Sequence, residues 1–314
     1  MTPDVEPHAQ ARGTPSDERA APPAHGGAEP RTGATSSTGM PVAPGARVAS
    51  RPGETRGAVG RPRVVAVIMT YNCARLLPKA YEKIPKDLVA EILVTDDGSK
   101  DDSYEVARRL GIPAYRHVPN RGYGGNLKMG LRYALDRGAD YIVEVHGDGQ
   151  FDPGAIRQAV PLMEQGVHFI IGSRFQNPTR ALENGMPLIR YLANRGLSAI
   201  DRLILRLPFT EFHTGFRIYS REMLERVAWE ENADNYLFSF QIIAQAAYAR
   251  LRTAEVPVEA DYKSDHTSHS VRGAAVYAVQ TFGVLGQYLL ARSGLRYHRL
   301  FPLPGSRTTA HVRG

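Results

Sequence analysis

Cysteine is almost absent from this chain of 314 residues. A single thiol, Cys73, excludes any internal disulfide, so nothing in the sequence marks an oxidising compartment and a reducing cytosol is favoured. The first 62 residues also lack the continuous apolar run that a secretory signal requires, and no signal peptide is expected.

Two common nucleotide-binding patterns are missing as well. No G-x-x-x-x-G-K-[ST] stretch occurs, which excludes a P-loop. The segment 120–130 (NRGYGGNLKMG) is rich in glycine, but the last glycine of a dinucleotide fingerprint counted from Gly122 would fall on Leu127. The segment also follows the third predicted strand instead of the first. Its glycines still allow a ligand to approach the backbone, with Lys128 available for a phosphate.

Acidic residues are absent after Asp265, where six arginines carry most of the net charge of +7. Aromatic residues and arginines do not alternate along the chain as a nucleic-acid-binding face would require, so no nucleic-acid partner is expected. An anionic membrane surface fits this basic region, and so does a solvated basic tail.

Composition divides the chain into three parts. Residues 1–62 are dominated by Pro, Gly, Ala, Ser, Thr and Arg and are predicted to form a disordered arm. Residues 63–265 alternate short apolar strands, among them 64–70, 91–97, 140–145 and 168–173, with helical patterns. This alternation predicts an α/β domain with a single, mainly parallel twisted sheet flanked by helices. Within it, residues 208–222 are predicted to be rich in turns, after an amphipathic helix over 186–207. Residues 266–314 are predicted to form a basic C-terminal helix and tail.

The charge-free run at 273–291 is nearly long enough to cross a bilayer. Two glutamines, a threonine and three glycines make insertion weak. We therefore expect an amphipathic, membrane-interfacial helix or a core helix in preference to a spanning one.

Polar side chains follow two of the predicted strands. Asp96 and Asp97 lie at the end of the predicted strand 91–97, where they can contact a nucleoside or merely cap the next helix. His146 and Asp148 follow the strand 140–145, and their spacing lets them share a cation. A divalent ion that bridges a diphosphate needs only one or two protein carboxylates, and an imidazole ligand favours Mn²⁺ over Mg²⁺. The alternative is that His146 only donates a hydrogen bond.

A second polar cluster is centred on Gly215 in the segment 211–222. Arg217 can bind a phosphate through its fork of donors, and Glu211 can act as a base or orient an acceptor. The structural alternative is an ion pair between Arg217 and Glu211 that braces the turn.

These motifs taken in order (VIMTYN, VTDDGSKD, NRGYGGNLKMG, VHGDGQFDP, HTGFRIYSR and EVPVEADY) resemble the family 2 glycosyltransferases, and among them the dolichol-phosphate mannosyltransferase-like branch. The resemblance covers residues 63–265. It implies a GT-A fold, a nucleotide-sugar donor, a divalent cation (Mn²⁺ or Mg²⁺) and transfer with inversion at the anomeric carbon.

Carried over by position, the resemblance assigns roles to particular residues. Asp96 and Asp97 would contact the nucleoside, supported by the segment Thr70, Tyr71 and Asn72. The family's D-x-D metal motif falls on His146, Gly147 and Asp148, so that His146 replaces the first aspartate. The aspartate of the family's D-x-T-S-G-F-R falls on Glu211, whereas Arg217 matches.

The sequence thus predicts metal-dependent, inverting transfer of a sugar from a GDP- or UDP-sugar to a polyprenyl phosphate, by a peripheral protein at the cytoplasmic face of the membrane. The metal, with Lys128 or Arg217, would neutralise charge on the departing nucleoside diphosphate. Because a lipid phosphate is already an anion, no strong general base is required. One alternative keeps the donor but uses a polysaccharide or another glycan as acceptor. Another is a non-catalytic nucleotide-sugar-binding protein, which the histidine in the metal motif would suit.

Overall fold

A computed structural model describes residues 47–48, 61–177, 179–261 and 271–302. Most of the predicted disordered arm, and the C-terminal tail after residue 302, lie outside these described residues. So does the polar segment 262–270, which follows the last predicted strand.

The described residues form one eight-stranded sheet with the order β1-β8-β6-β7-β5-β2-β3-β4. Its strands are β1 (Arg47–Val48), β2 (Val64–Thr70), β3 (Glu91–Asp96), β4 (Ala114–Arg116), β5 (Tyr141–His146), β6 (Phe169–Ser173), β7 (Arg217–Ser220) and β8 (Thr253–Pro257).

The half of the sheet from β5 to β4 is parallel throughout. All seven residues of β2 are buried, as expected for a central parallel strand that is covered on both faces. Alternate β2 residues enter two large hydrophobic clusters: Val65 and Val67 belong to one, Ala66 and Ile68 to the other. The core therefore lies on both sides of the sheet, as the alternation of strands and helices predicts.

The helices cover these two faces. They are α1 (Leu77–Glu82), α2 (Ser103–Arg109), α3 (Tyr123–Asp136), α4 (Ile156–Glu164), α5 (Arg180–Glu183), α6 (Leu188–Leu205), α7 (Arg221–Arg226), α8 (Phe238–Tyr248) and α9 (Val271–Arg292). Short 3₁₀ turns at Pro153–Ala155 and Trp229–Glu231 precede α4 and α8.

Strand β7 was not expected from the sequence, which predicts a turn-rich segment there. Its four residues are all buried, and it lies between β5 and β6, antiparallel to both. Four residues are too few for an alternating pattern to stand out from flanking turns. The register pairs Arg217 with Glu144 of β5.

Helices α6 and α9 each leave an apolar face in solvent. On α9, Val284, Leu285 and Tyr288 are buried in the hydrophobic cluster that also contains α8, while Val279 and Phe282 are exposed. None of the helices in the described ranges combines the length and the apolarity needed to cross a bilayer.

Candidate active site

Several of the predicted site residues lie at one edge of the sheet. Since β2, β3 and β5 run parallel, their carboxyl ends coincide: Thr70 is in register with Asp96, and Met69 with His146. Open parallel sheets place ligands at this edge. The fold therefore brings the two polar clusters at the ends of β3 and β5 together.

Asp96 is completely buried and bonded through both carboxylate oxygens. Thr70 Oγ1 donates to Oδ1 at 3.1 Å, the Ser99 amide donates to Oδ2 at 3.1 Å, and Arg116 Nε lies 3.1 Å from Oδ2. These bonds tie β2 and β3 to the loop that follows. Asp96 thus braces the edge of the sheet.

Asp97 has fewer partners. Its Oδ1 accepts from the Arg121 amide at 2.8 Å, and His117 Nδ1 lies 3.7 Å away. Burial raises the pKa of Asp97, although the bond from Arg121 opposes that rise. Of the two aspartates, Asp97 is the better placed to accept from a nucleoside.

The segment after β2 forms one wall of the site. Tyr71 is half exposed, and Asn72 has a left-handed backbone with φ of 52°. The Asn72 side chain accepts from the Lys100 amide at 2.7 Å, which joins this wall to the loop after Asp97. The three residues Thr70, Tyr71 and Asn72 therefore lie beside the aspartates, as the resemblance implies.

The predicted metal motif, His146 to Asp148, lies at the end of β5. His146 Nε2 is 3.0 Å from Glu144 Oε1, and Asp148 Oδ1 accepts from the Gln150 amide at 2.9 Å. Burial of the His146 ring opposes its charged form, but the bond to Glu144 and its negative charge outweigh that effect, so the pKa of His146 lies above its ordinary value. Between them, a Cβ on Gly147 would lie 2.8 Å from Thr70 Cγ2 and 2.9 Å from Cys73 Sγ, so only glycine fits.

Glu144 was missed by the sequence reasoning, which treated it as part of an apolar strand. It is almost fully buried and accepts from Tyr123 and, at 2.5 Å, from Tyr219, while Arg217 lies 3.6 Å away. Burial alone would raise the pKa of Glu144, but Arg217 and His146 outweigh it and hold that pKa below its ordinary value. A charged residue inside a buried strand was the available signal, because such a carboxylate needs partners.

The ion pair proposed between Arg217 and Glu211 is not formed, and that alternative was wrong. Glu211 instead pairs with Arg174, whose Nε lies 2.7 Å from Oε1 and whose amide donates to Oε2 at 2.7 Å. Arg217 is carried by β7 to Glu144, as described above. Because Arg217 is the first residue of β7, it does not share the single turn with Glu211 that the linear spacing had predicted.

Lys128 is bonded to the protein itself. Its Nζ donates to the Asn232 carbonyl and, at 2.7 Å, to Asp234 Oδ1. The neighbouring glycines let the loop that contains Asn232 and Asp234 pack closely, because a Cβ on Gly124 would lie 2.2 Å from the Ala233 carbonyl oxygen. In this structure the glycine-rich segment therefore packs against the backbone of that loop and not against a ligand. A phosphate contact by Lys128 stays a prediction.

The candidate metal ligands are few. Across the residues that the structure describes, no group of three or more His, Cys, Asp or Glu side chains converges in a way that could hold an ion. His146 and Asp148 do supply an imidazole and a carboxylate at the sheet edge, which suits a divalent ion that completes its shell with donor phosphates and water. The residues present therefore fit such an ion only together with a diphosphate.

Comparison with known proteins gives the class of this chain. Residues 65–228, more than half of its length, match the family model described as Glycosyl transferase family 2. The chain belongs to this family. It is a nucleotide-sugar-dependent glycosyltransferase with a GT-A-like fold.

The chain is similar to enzymes of prenyl-phosphate glycosylation. It is 30% identical to the undecaprenyl-phosphate mannosyltransferase of Micrococcus luteus, covering 74% of this chain and 100% of that one. It is 27% identical to the UDP-N-acetylglucosamine–dolichyl-phosphate N-acetylglucosaminyltransferase of Methanococcus voltae, covering 63% of this chain and 86% of that one.

Among solved structures, the fold is similar to that of glucosyl-3-phosphoglycerate synthase from Mycobacterium tuberculosis in complex with Mn²⁺, UDP and glucosyl-3-phosphoglycerate. The TM-score is 0.55 at 20% identity, over 75% of this chain and 81% of that one. At this identity the likeness concerns the fold alone.

Proposed function

We propose that this protein transfers a sugar from a nucleotide-sugar to a polyprenyl phosphate, with inversion, using a divalent cation held by His146 and Asp148. The named acceptors of its relatives, undecaprenyl phosphate and dolichyl phosphate, support the acceptor class. The two relatives transfer different sugars, so their names leave the sugar open.

One observation supports a lipid acceptor: the loop that contains Gly215 contacts two helices, α6 and α9, that expose apolar faces. His213, two residues before Gly215, has its Nε2 3.1 Å from Asp201 Oδ2 of α6, and its ring packs against Tyr277 of α9 with centroids 5.8 Å apart. An acceptor whose tail lies along these faces would have its phosphate near the sheet edge.

The exposed faces suit a membrane surface. Ile189 and Leu203 of α6 and Val279 of α9 are each more than two thirds exposed. Apolar faces of this kind, flanked by basic residues, hold proteins at anionic bilayers without spanning them. We therefore place the protein at the cytoplasmic face as a peripheral enzyme.

The chemistry assigned to each residue follows from its contacts. A bound Mn²⁺ or Mg²⁺ would supply positive charge to the departing diphosphate. Asp97 would accept from the nucleoside, and Asp148 would provide the one carboxylate of the cation site. Glu211 has both oxygens bonded to Arg174, which makes it a poor general base, and an anionic lipid phosphate needs none.

The direct test is an acceptor and donor panel. Purified protein is incubated with UDP- and GDP-sugars and short polyprenyl phosphates, with Mn²⁺, Mg²⁺ or EDTA, and lipid products are identified by mass spectrometry. We expect a glycosylated lipid phosphate that EDTA abolishes, with inverted anomeric configuration by NMR. Product on a glycan acceptor alone would overturn the lipid assignment, and donor binding without turnover would favour the non-catalytic alternative.

The membrane surface is tested separately with vesicles. The wild-type chain should sediment with vesicles containing anionic lipid more than with zwitterionic ones, and Leu203→Glu should weaken this binding. Val118→Glu is the matched control, because Val118 is as exposed as Leu203 (79% and 78%) but follows β4, on another part of the fold. Equal loss in both variants, or none in either, would contradict the assignment of α6 to the membrane face.

A further inference from the structure

Glu144 occupies a position where a buried strand would ordinarily carry an apolar residue. Its chain neighbours Val143 and Val145 are buried in the hydrophobic cluster on the other face of the sheet. Burying a carboxylate costs free energy that partners only partly return, and a well-packed apolar side chain is often at least as stable. The charge therefore calls for a role beyond packing.

The role is indicated by what Glu144 contacts on its own face of β5. Side chains two residues apart in a strand point the same way, and His146 Nε2 lies 3.0 Å from Glu144 Oε1. An imidazole has two ring nitrogens, and the one that bonds a carboxylate is not available to a ligand. Nδ1 is then the nitrogen left for a cation.

Other parts of the ring pack against neighbouring groups, although the side chain stays about 20% exposed. Phe151 meets the imidazole edge-on with centroids 5.6 Å apart, and Tyr123 does so at 5.9 Å. The Gly215 backbone covers another side, since a Cβ there would lie 2.7 Å from His146 Cε1. Such packing blocks a flip of the ring that would exchange its two nitrogens.

The carboxylate is itself held in place. Tyr219 donates to Oε2, Tyr123 donates to Oε1, and Arg217 approaches from β7. A carboxylate fixed behind a metal-binding imidazole orients the ring and raises its basicity.

We propose that Glu144 is a positioning residue that holds His146 with Nε2 turned inward, so that Nδ1 faces the cation site beside Asp148. This inference rests on the proposed function, because it assigns the supporting residue of that same metal site. It adds a residue that lies outside the D-x-D pattern and never touches substrate.

The first experiment measures Mn²⁺ affinity by electron paramagnetic resonance, with UDP and separately with GDP present. Glu144→Gln keeps the shape of the side chain but leaves one acceptor oxygen where there were two, so it cannot serve His146 and both tyrosines together. We expect Mn²⁺ binding to weaken about 10- to 100-fold. Glu91→Gln is the control, because Glu91 pairs with Arg63 and Arg137 at the first residue of β3, the end of that strand away from Asp96; its Mn²⁺ affinity should stay close to wild type.

The second experiment needs no variant of Glu144, so it remains valid if Glu144→Gln fails to fold. Nitrogen-15 NMR of the native protein in mildly alkaline buffer, with the His146 signals identified by their loss in His146→Asn, should show the proton on Nε2. A proton on Nδ1 instead, or Mn²⁺ binding by Glu144→Gln equal to that of wild type, would overturn the proposal.

The two hypotheses fail in different ways. Wild-type protein that binds no Mn²⁺ with either nucleotide removes the metal site of the proposed function, whatever the tautomer. Wild-type protein that binds Mn²⁺ normally, with the Nε2 proton missing, removes only the role of Glu144.

Discussion

A single methyl group added at Gly215 tests the geometry of the site most directly. Gly215 does not have a positive φ, so the backbone itself accepts alanine. The new Cβ would nevertheless lie 2.5 Å from Phe151 Cε2, 2.7 Å from His146 Cε1 and 2.9 Å from His146 Nε2. Carbon atoms attract best at about 3.5–4.0 Å, so both rings must move.

The size of the effect follows from overpacking. An extra methyl in a filled interior costs about 1–3 kcal/mol, which in a domain of this size lowers the melting temperature by roughly 2–12 °C. Displacing the His146 ring also breaks its bond to Glu144. We therefore expect Gly215→Ala to lose Mn²⁺ binding and transfer activity more severely than it loses stability.

The assays are thermal unfolding, Mn²⁺ binding in the presence of UDP or GDP, and transfer. The matched control is Gly196→Ala in α6, where nothing lies within 4 Å of the new Cβ. Because alanine is favoured over glycine in a helix by about 1 kcal/mol, this control should unfold at the wild-type temperature or above. If both variants behave alike in unfolding and in Mn²⁺ binding, the packing of His146 against Gly215 is refuted.

Three further predictions concern the same site. Asp148→Asn should abolish transfer without changing the unfolding temperature, because it removes a ligand charge and no core contact; near-normal turnover would remove the proposed metal site. Burial raises the pKa of Cys73 to about 12, so that roughly one thiol in ten thousand is ionised at pH 8; Ellman's reagent should react with it only after unfolding, and fast reaction of the native protein would contradict its burial. His146→Asp, which restores the family's first aspartate, should lower the melting temperature, and adding Glu144→Gln should recover it; equal temperatures for the single and double variants would show that the two side chains do not interact.

Much of the fold follows from the sequence because most of its strands are long enough to be recognised as apolar runs. The run at 64–70 is predicted and found as β2, and the strands at 91–96 and 169–173 differ from expectation by about a residue at one end. Strand β7 was not predicted because it is short and lies among turn residues. Its central position depends on the space left between β5 and β6, which only the folded sheet defines.

The placement of the candidate site residues was predictable where it depends on strand ends and unpredictable where it depends on pairing across the sheet. The placement of Asp97, His146 and Asp148 follows from the rule that parallel strands end at one edge. The partners Glu144 and Arg217 meet only because β5 and β7 are antiparallel neighbours in one register. No local spacing in the sequence contains that information.

Glu144 and His146 form a bonded pair in which the identity of one residue depends on the charge of the other. An aspartate at 146 would place a second carboxylate two strand residues, about 7 Å, from Glu144, and at an effective dielectric constant near 20 the two would repel by about 2 kcal/mol. The buried glutamate and the family's first aspartate therefore disfavour each other, whereas a histidine can donate to the glutamate and still offer a nitrogen to a cation. A cation bound here would meet one carboxylate, Asp148, instead of two, and would take more of its ligands from the donor diphosphate. Metal and nucleotide should consequently bind as a linked pair, each strengthening the other by the same factor.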